Sequence, residues 1–386
     1  MDGFLAQLES LFQTVIVDSV EAVIFFDLAF FSPDIHLPLV VVWLIFGALF
    51  FTLRFQFVNF RAFRHAIDCV RGRYTAEGET GDISHFQALS AALSATVGLG
   101  NIAGVAFAVG IGGPGAVFWM VLAGFLGMSS KFAECTLGQK YRRQRADGVT
   151  AGGPMHYLRD GLAELGWPRL GRWLSVIFAV MCIGGSFGGG NMYQANQSYV
   201  MVASELPIME GTGGAVVFGL VLAALVGVVI IGGIRRIGDV AARLVPTMCI
   251  VYVSCGLWIL LSHADQLGSG LATIVGAAFS GEAAAGGLVG ALIQGFRRAA
   301  FSNEAGCGSA AIVHSAARTE EPVREGVVAL LEPFIDTIIV CTMTGLVLVV
   351  TGAHAHPDAG EGIAMTSWAF KSVFPWFPIV LSVTAV

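Results

Sequence analysis

The stretch "SATVGLGNIAG", Ser94 to Gly104, sits inside an apolar run long enough to cross a bilayer, yet Gly98, Gly100, Asn101 and Gly104 interrupt it. Unpaired backbone N–H and C=O groups are costly in hydrocarbon. Irregular backbone therefore survives at membrane depth only where protein, water or a ligand satisfies it. A break at that depth marks a candidate binding site, and glycine supplies both the unusual dihedrals and room for a ligand to approach the main chain. The bland counterpart is packing, because small residues four apart, such as Gly100 and Gly104, also mark close helix contacts.

The rest of the chain reads as an all-α polytopic membrane protein. Of 386 residues, 55% are apolar and 12% charged, and the mean hydropathy is +0.76; soluble globular proteins are far more polar. Runs near the roughly 20 residues that span a hydrocarbon core fall at 37–53, 87–111, 116–138, 173–203, 214–233, 244–262, 286–312 and 326–351. A last run begins near Trp368. The net charge of −6 matters less than the placement of Lys and Arg, which mark cytoplasmic loops. None precedes Arg54; Arg61, Arg64, Arg71 and Arg73 follow it in the first loop, the third runs from Lys140 to Arg172, the fifth holds Arg235, Arg236 and Arg243, and the seventh Arg318 and Arg324. The intervening loops have neither residue type. The expected topology is therefore multi-pass with the N-terminus outside, in the inner (plasma) membrane. The N-terminal residues lack a basic n-region and a small-residue cleavage site, so 1–36 is expected as an outer amphipathic segment.

A second span is broken like the first. "QGFRRAAFSNEAGCGSAAIV" (294–313) is interrupted at Ser302, Asn303, Gly306 and Gly308. On this topology the two broken spans run in opposite directions. Each opens a five-helix unit and is followed by a span with an acidic residue near its inner end, Glu134 and Glu332. Paired discontinuous helices of opposite sense are the mark of an inverted repeat. The chain is thus one integral domain, 1–386, with an N-terminal span at 37–53, a first five-helix repeat at 87–262 and a partial second repeat at 286–386. The second repeat is incomplete at Val386, and the chain is expected to be truncated there. In the third loop, "GGPMHYLRDGLAELGWPRLGRW" (152–173) reads as a short amphipathic helix between Gly/Pro turns.

The first break offers two kinds of ligand contact. The half-helix starting near Gly98–Asn101 presents free N–H groups and a partial positive charge to an anion such as a carboxylate. The end of the preceding half, Ser94 to Val97, exposes carbonyls to a hard cation, for which sodium fits better than a transition metal. At the second break, Glu304 with Arg297 and Arg298 makes either a functional charge network or gate, or a salt bridge that stabilises the break. In the third of the later spans, Asn191, Gln194, Asn196 and Gln197 put amides in the interior; Gln194 or Asn191 either hydrogen-bonds a substrate or serves as interhelical glue. "GIGGPG" (110–115) matches a dinucleotide motif but follows no strand, and His354, His356 and Asp358 belong to a polar outer loop rather than a metal site. The seven cysteines show no disulfide framework or metal spacing. No catalytic pair, Walker motif or haem ligand set stands out, so no enzyme, cofactor or nucleic-acid partner is expected.

The stretches "ATVGLGNIAGVAFAVGIGGPGAVFWM" (95–120), "KFAECTLGQKYR" (131–142), "GGPMHYL" (152–158), "GGGNMYQANQ" (188–197) and "FSNEAGCGSA" (301–310) resemble the alanine or glycine:cation symporter family, the sodium/alanine symporters. That family is similar in fold to the LeuT-type transporters, whose first broken helix has the pattern carried here by "VGLGN". The resemblance implies sodium-coupled uptake of alanine or glycine by a protein expected to act as a monomer in the lipid bilayer. It implies an amino-acid carboxylate at the amides of Leu99 and Gly100, with Thr96, Gly98 and Asn101 beside it. Phe301, Ser302 and Asn303 would line the opposite wall, and Gln194 would reach in from the third span. Sodium would be held by carbonyls near Ser94 and Val97, with a second cation at Asn101. The Ser/Thr-rich stretch that follows "PWFPIVLSVTAV" in the family, expected to complete the sites, is not in this sequence.

Overall fold

Each of the eight apolar runs becomes helix in the computed structural model, which describes residues 37–280 and 287–377 together with some positions between 7 and 28. The run 37–53 is α1 (Leu39–Arg54), followed by the short surface helix α2 (Phe63–Val70). The run 87–111 is a bent pair, α3 (His85–Thr96) and α4 (Gly100–Gly112), whose axes meet at 51°. Then come α5 (Gly115–Lys140), α6 (Pro154–Glu164), α7 (Pro168–Glu205), α8 (Gly211–Ile230) and α9 (Gly233–Ser262). The second half contains α10 (Leu267–Phe279), α11 (Gly287–Asn303), α12 (Ala310–His314), α13 (Pro322–Val350) and α14 (Ile363–Lys371). Among the described residues, five helices are long and apolar enough to cross a membrane, and the bent pair makes a sixth span.

Three features differ from the sequence-based expectation. The interval 263–285, read as an outer loop, contains α10; its 13 residues are too few, and too diluted by Gly268, Gly270 and Gly276, to register as a span. The third loop carries, besides the expected amphipathic helix α6, a two-stranded hairpin of β1 (Arg143–Gln144) and β2 (Thr150–Ala151), with Arg143 opposite Ala151. The run placed from Trp368 onward starts inside α14, which closes at Lys371, and residues 378–386 lie outside the described residues. So do 281–286 and most of the expected 1–36 segment.

Local chemistry explains where the first broken span starts and stops. Ser84 accepts the Gln87 N–H through Oγ at 3.2 Å, while Gln87 Oε1 accepts the Ser84 N–H at 2.8 Å, a reciprocal capping box that fixes the start of α3. At Val97 the backbone turns extended, with φ −82° and ψ 109°, and helix resumes as a π-type stretch over Gly100–Gly104. Such wide turns occur mostly as short insertions, often at functional sites.

The helix α5 is the hub. It packs on α1, α10, α11 and α13, and its small residues let backbones approach: a Cβ on Gly124 would lie 2.6 Å from Thr337 Cγ2, and one on Gly138 2.8 Å from the Ala311 carbonyl oxygen. By contrast, α8 has no buried residue over its apolar window, and α7 little. Unburied apolar helices of this length suit hydrocarbon surroundings.

The inner ends of the two broken spans are tied together. Ile83 and Ala317 form a parallel bridge, with the Asp82 N–H donating to the Ala316 carbonyl at 2.8 Å and the Arg318 N–H to the Ile83 carbonyl at 2.8 Å. Arg142 reinforces this by donating to the carbonyls of Ala317 at 2.7 Å and Thr319 at 2.5 Å. Asp82 accepts from the Thr150 amide at 2.9 Å and Arg235 at 3.0 Å. Burial opposes ionisation of Asp82, but the Thr150 amide and Arg235 outweigh it and hold the carboxyl below its ordinary value.

Candidate functional site

A cavity of about 2330 Å³ opens beside the first break, walled by α3, α7, α8, α9 and the second break. Of the candidates read from the sequence, Ser94, Thr96, Val97, Gly98, Gly100, Gln194, Phe301 and Glu304 line it, as does Asn191. These residues come from three separate spans, the first broken span, α7 and the second broken span. Leu99 and Gly100 stand in the first turn of α4, where N–H groups have no intrahelical acceptor. The carbonyls ending α3, from Ser94 to Val97, are the corresponding unpaired acceptors on the other side of the break. Gln194 hangs over the gap: a Cβ on Gly98 would lie 3.9 Å from its Oε1. Asn191 instead donates to the Ser186 carbonyl of its own helix at 2.8 Å.

Behind this wall lies a second group. Asn101, Ser302 and Asn303 are fully buried and do not line the cavity; the Leu99 side chain is buried as well. They converge on residues absent from the sequence-level candidates, Asp336 and Thr337 of α13, where that helix runs in π-type turns over Phe334–Cys341. Asn101 Nδ2 donates to Asp336 Oδ1 at 2.6 Å, and its Oδ1 accepts the Gly98 N–H at 2.7 Å. Ser302 Oγ donates to Asp336 Oδ2 at 2.9 Å, Thr337 Oγ1 to the same oxygen at 2.7 Å, and Asn303 Nδ2 to Thr337 Oγ1 at 2.9 Å. One buried carboxylate thus joins the two breaks through neutral donors. A carboxylate inside the apolar run 326–351 is itself a visible signal, since ionisable residues in spans are rare and functional.

At the second break the backbone turns left-handed three times, at Glu304 (φ 52°), Gly306 (φ 91°) and Gly308 (φ 85°). Glu304 bonds Ser309 Oγ. The guanidinium of Arg297 lies 4.6 Å over the Phe25 ring and that of Arg298 5.4 Å over Phe107. Among the described residues no ion pair joins either arginine to Glu304, so the expected three-residue charge network is not assembled. Residues 297 and 304 are seven apart, about two turns or 10 Å along a helix, and the left-handed turn at Glu304 carries its side chain away.

The N–H of Gly308, at the entry to α12, donates to Glu134 Oε2 at 3.0 Å. Glu134 is 3.6 Å from Lys131 Nζ, and Lys131 is 2.9 Å from Glu332 Oε1, all buried. The two acidic residues noted at the inner ends of their spans are thus drawn together through one lysine.

The sequence that builds these breaks is similar to that of known proteins. The profile of the sodium:alanine symporter family matches residues 23–386. The chain is 40% identical over 349 residues to the sodium/alanine symporter AgcS of Methanococcus maripaludis, covering 90% of this chain and 75% of that protein. It is 42% identical over 330 residues to an uncharacterized transporter of Haemophilus influenzae, covering 83% and 69%. To the probable sodium/glutamine symporter GlnT of Bacillus subtilis it is 37% identical over 336 residues, covering 86% and 67%. The family match spans nearly the whole chain and its members are named as transporters, not enzymes; the chain belongs to the sodium:alanine symporter family.

Proposed function

We propose that this chain couples sodium to the uptake of a small neutral amino acid, alanine or glycine, by alternating access around the two breaks. The observation that carries the proposal is the first break, which turns unpaired amides and unpaired carbonyls toward one cavity. The amino-acid carboxylate meets the amides of Leu99 and Gly100, with Thr96, Gly98 and Asn101 supporting that turn. Gln194 and Phe301 face the rest of the substrate, and Ser302 and Asn303 hold the opposite break in register. Sodium meets the carbonyls of Ser94 and Val97. A second sodium belongs at the Asn101 and Ser302 side chains, where Asp336 supplies the negative charge. The chain works as a monomer in the inner membrane with its N-terminus outside.

A second substrate class has its own support. The cavity is far larger than alanine, and Gln194 offers an amide to an amide, so glutamine belongs in the same assay. Uptake of labelled alanine, glycine and glutamine into proteoliposomes, under imposed sodium or proton gradients, tests all of this. Alanine uptake that ignores the sodium gradient ends the coupling proposal. Current without stoichiometric uptake points to a channel, and binding without translocation to a sensor.

A further inference from the structure

A buried chain of six ionisable groups runs from the start of α3 to the second break, away from the cavity. His85 Nδ1 meets Glu325 Oε2; the other oxygen of Glu325 is 2.5 Å from His314 Nδ1. His314 Nε2 faces Glu332 Oε2 at 3.8 Å, Glu332 Oε1 binds Lys131, and Lys131 reaches Glu134, which holds the Gly308 amide. His314, Glu325, Glu332 and Lys131 are completely buried, and His85 and Glu134 nearly so. The groups come from α3, α5, α12 and α13. Cys135 and Cys69 lie beside the same carboxylates, Arg324 approaches Cys69, and Arg142 and Gln139 bind main-chain carbonyls at the end of α12.

When the acids are ionised, a proton on an imidazole reduces the excess of negative charge, and of the two rings only His314 stands between two carboxylates. Three carboxylates face one lysine and two imidazoles, so neutral rings leave two uncompensated negative charges in a buried site. Burial of unpaired charge is severely unfavourable. The geometry places His314 between two acids: its Nδ1 is hydrogen-bonded to Glu325 Oε1 at 2.5 Å, and its Nε2 faces Glu332 Oε2 at 3.8 Å, an ion-pair distance outside hydrogen-bond reach that a protonated ring would make attractive. Neither His314 Nε2 nor the Glu332 oxygen that it faces has a hydrogen-bond partner, so a proton on that nitrogen would give two buried polar atoms an electrostatic partner.

We propose that His314 is a proton-binding site that clasps the second broken span. With the proton bound, the ring bridges Glu325 and Glu332 and pins α12 to α13. With it gone, one donor is lost, Glu325 and Glu332 repel, and the segment from the second break to the bridge at Ala317 loosens. Proton occupancy thereby sets how firmly one half of the site is held, independently of any substrate.

Two measurements on the full chain in nanodiscs test this. Nitrogen-15 labelling of histidine is expected to show, at about pH 7, one buried ring with both nitrogens protonated, a signal missing in His314→Gln and kept in His85→Gln. Hydrogen exchange, corrected for intrinsic rates, is expected to rise by about tenfold or more over residues 304–317 as the pH is raised from about 6 to about 10, with no such step in His314→Gln. A neutral His314 ring at about pH 7 overturns the proposal, as does exchange that ignores pH in the wild-type chain. Should His314→Gln fail to fold, the wild-type titration and the His85→Gln spectrum, in which any remaining buried imidazolium must be His314, decide the question. Neither measurement depends on uptake, so failure here leaves the transport proposal standing, and the reverse.

Discussion

The two interrupted spans solve the same problem with opposite means. Both leave main-chain donors without helical acceptors at the entry to a second half-helix. At the first break Gly98 and Gly100 line a cavity, and the Gly98 N–H is bound by a side chain, Asn101. At the second, the Gly308 N–H is already bound by a carboxylate of the protein itself, Glu134, anchored by a buried lysine. An anion site filled from within is scaffold; an anion site left open is available to a ligand. On the transport proposal, the difference favours the first break as the place for the substrate carboxylate, with the second as its support.

The most severe way to break this comparison is to fill the open site. Gly100→Leu is expected to weaken alanine binding by about 100-fold, or roughly 3 kcal/mol, while membrane insertion is unchanged. A Cβ at this position would make ordinary contact with Ser302 Oγ at 3.6 Å, and the rest of the leucine side chain would occupy cavity space beside the break that Gly100 lines. Equilibrium binding of labelled alanine to purified protein checks this, and retained affinity removes the first break from the site. Next comes the carboxylate shared by both breaks. Asp336→Asn keeps the size of the side chain but removes its charge, and is expected to raise the sodium concentration for half-maximal alanine uptake by about 10- to 100-fold, the range for altered shells around metal sites.

The second break should respond in stability and not in affinity. Glu134→Gln is expected to cost about 1–3 kcal/mol by weakening a charge-assisted bond to a buried amide, read as a lower melting temperature, with alanine affinity changed by less than about threefold. A larger loss of affinity would show that both breaks bind substrate. The smallest effect belongs to the inner end of the first span. Asp82 is held below its ordinary carboxyl value, so the stability it contributes is complete above that value and disappears as pH falls through the lowered one. Because Arg235 is mostly exposed, the contribution is only about 0.2–1 kcal/mol. Asp82→Asn should remove that much stability at neutral pH and flatten the acid limb of the melting profile.

How much of this is legible in the sequence depends on the range of the interaction. The spans are legible because a membrane imposes length and hydropathy on contiguous residues. The first break is legible for the same reason, since its glycines and asparagine are neighbours in the chain. The second is legible as a break, but not in its ion pairing: Arg297, Arg298 and Glu304 are close in sequence, while the backbone at Glu304 separates them. Asp336 is visible in the sequence as a second carboxylate, after Glu332, in an apolar run, although its partners, 235 and 34 residues away, are not. The pairing of His85 with Glu325 across 240 residues lies wholly beyond sequence reasoning, because each residue alone reads as an ordinary polar group at a helix end.

The bridge between Ile83 and Ala317 uses main-chain atoms alone. The bonds of such a joint do not use the side chains of Ile83 and Ala317 themselves, so it lacks the dependence on an exact pair of side chains that a salt bridge has. Its weakness is of another kind. Proline at Asp82 or Arg318, which lacks the donating N–H, is a substitution this seam cannot absorb, and so is any side chain at Gly81, whose Cβ would lie 2.6 Å from the Ala317 carbonyl oxygen.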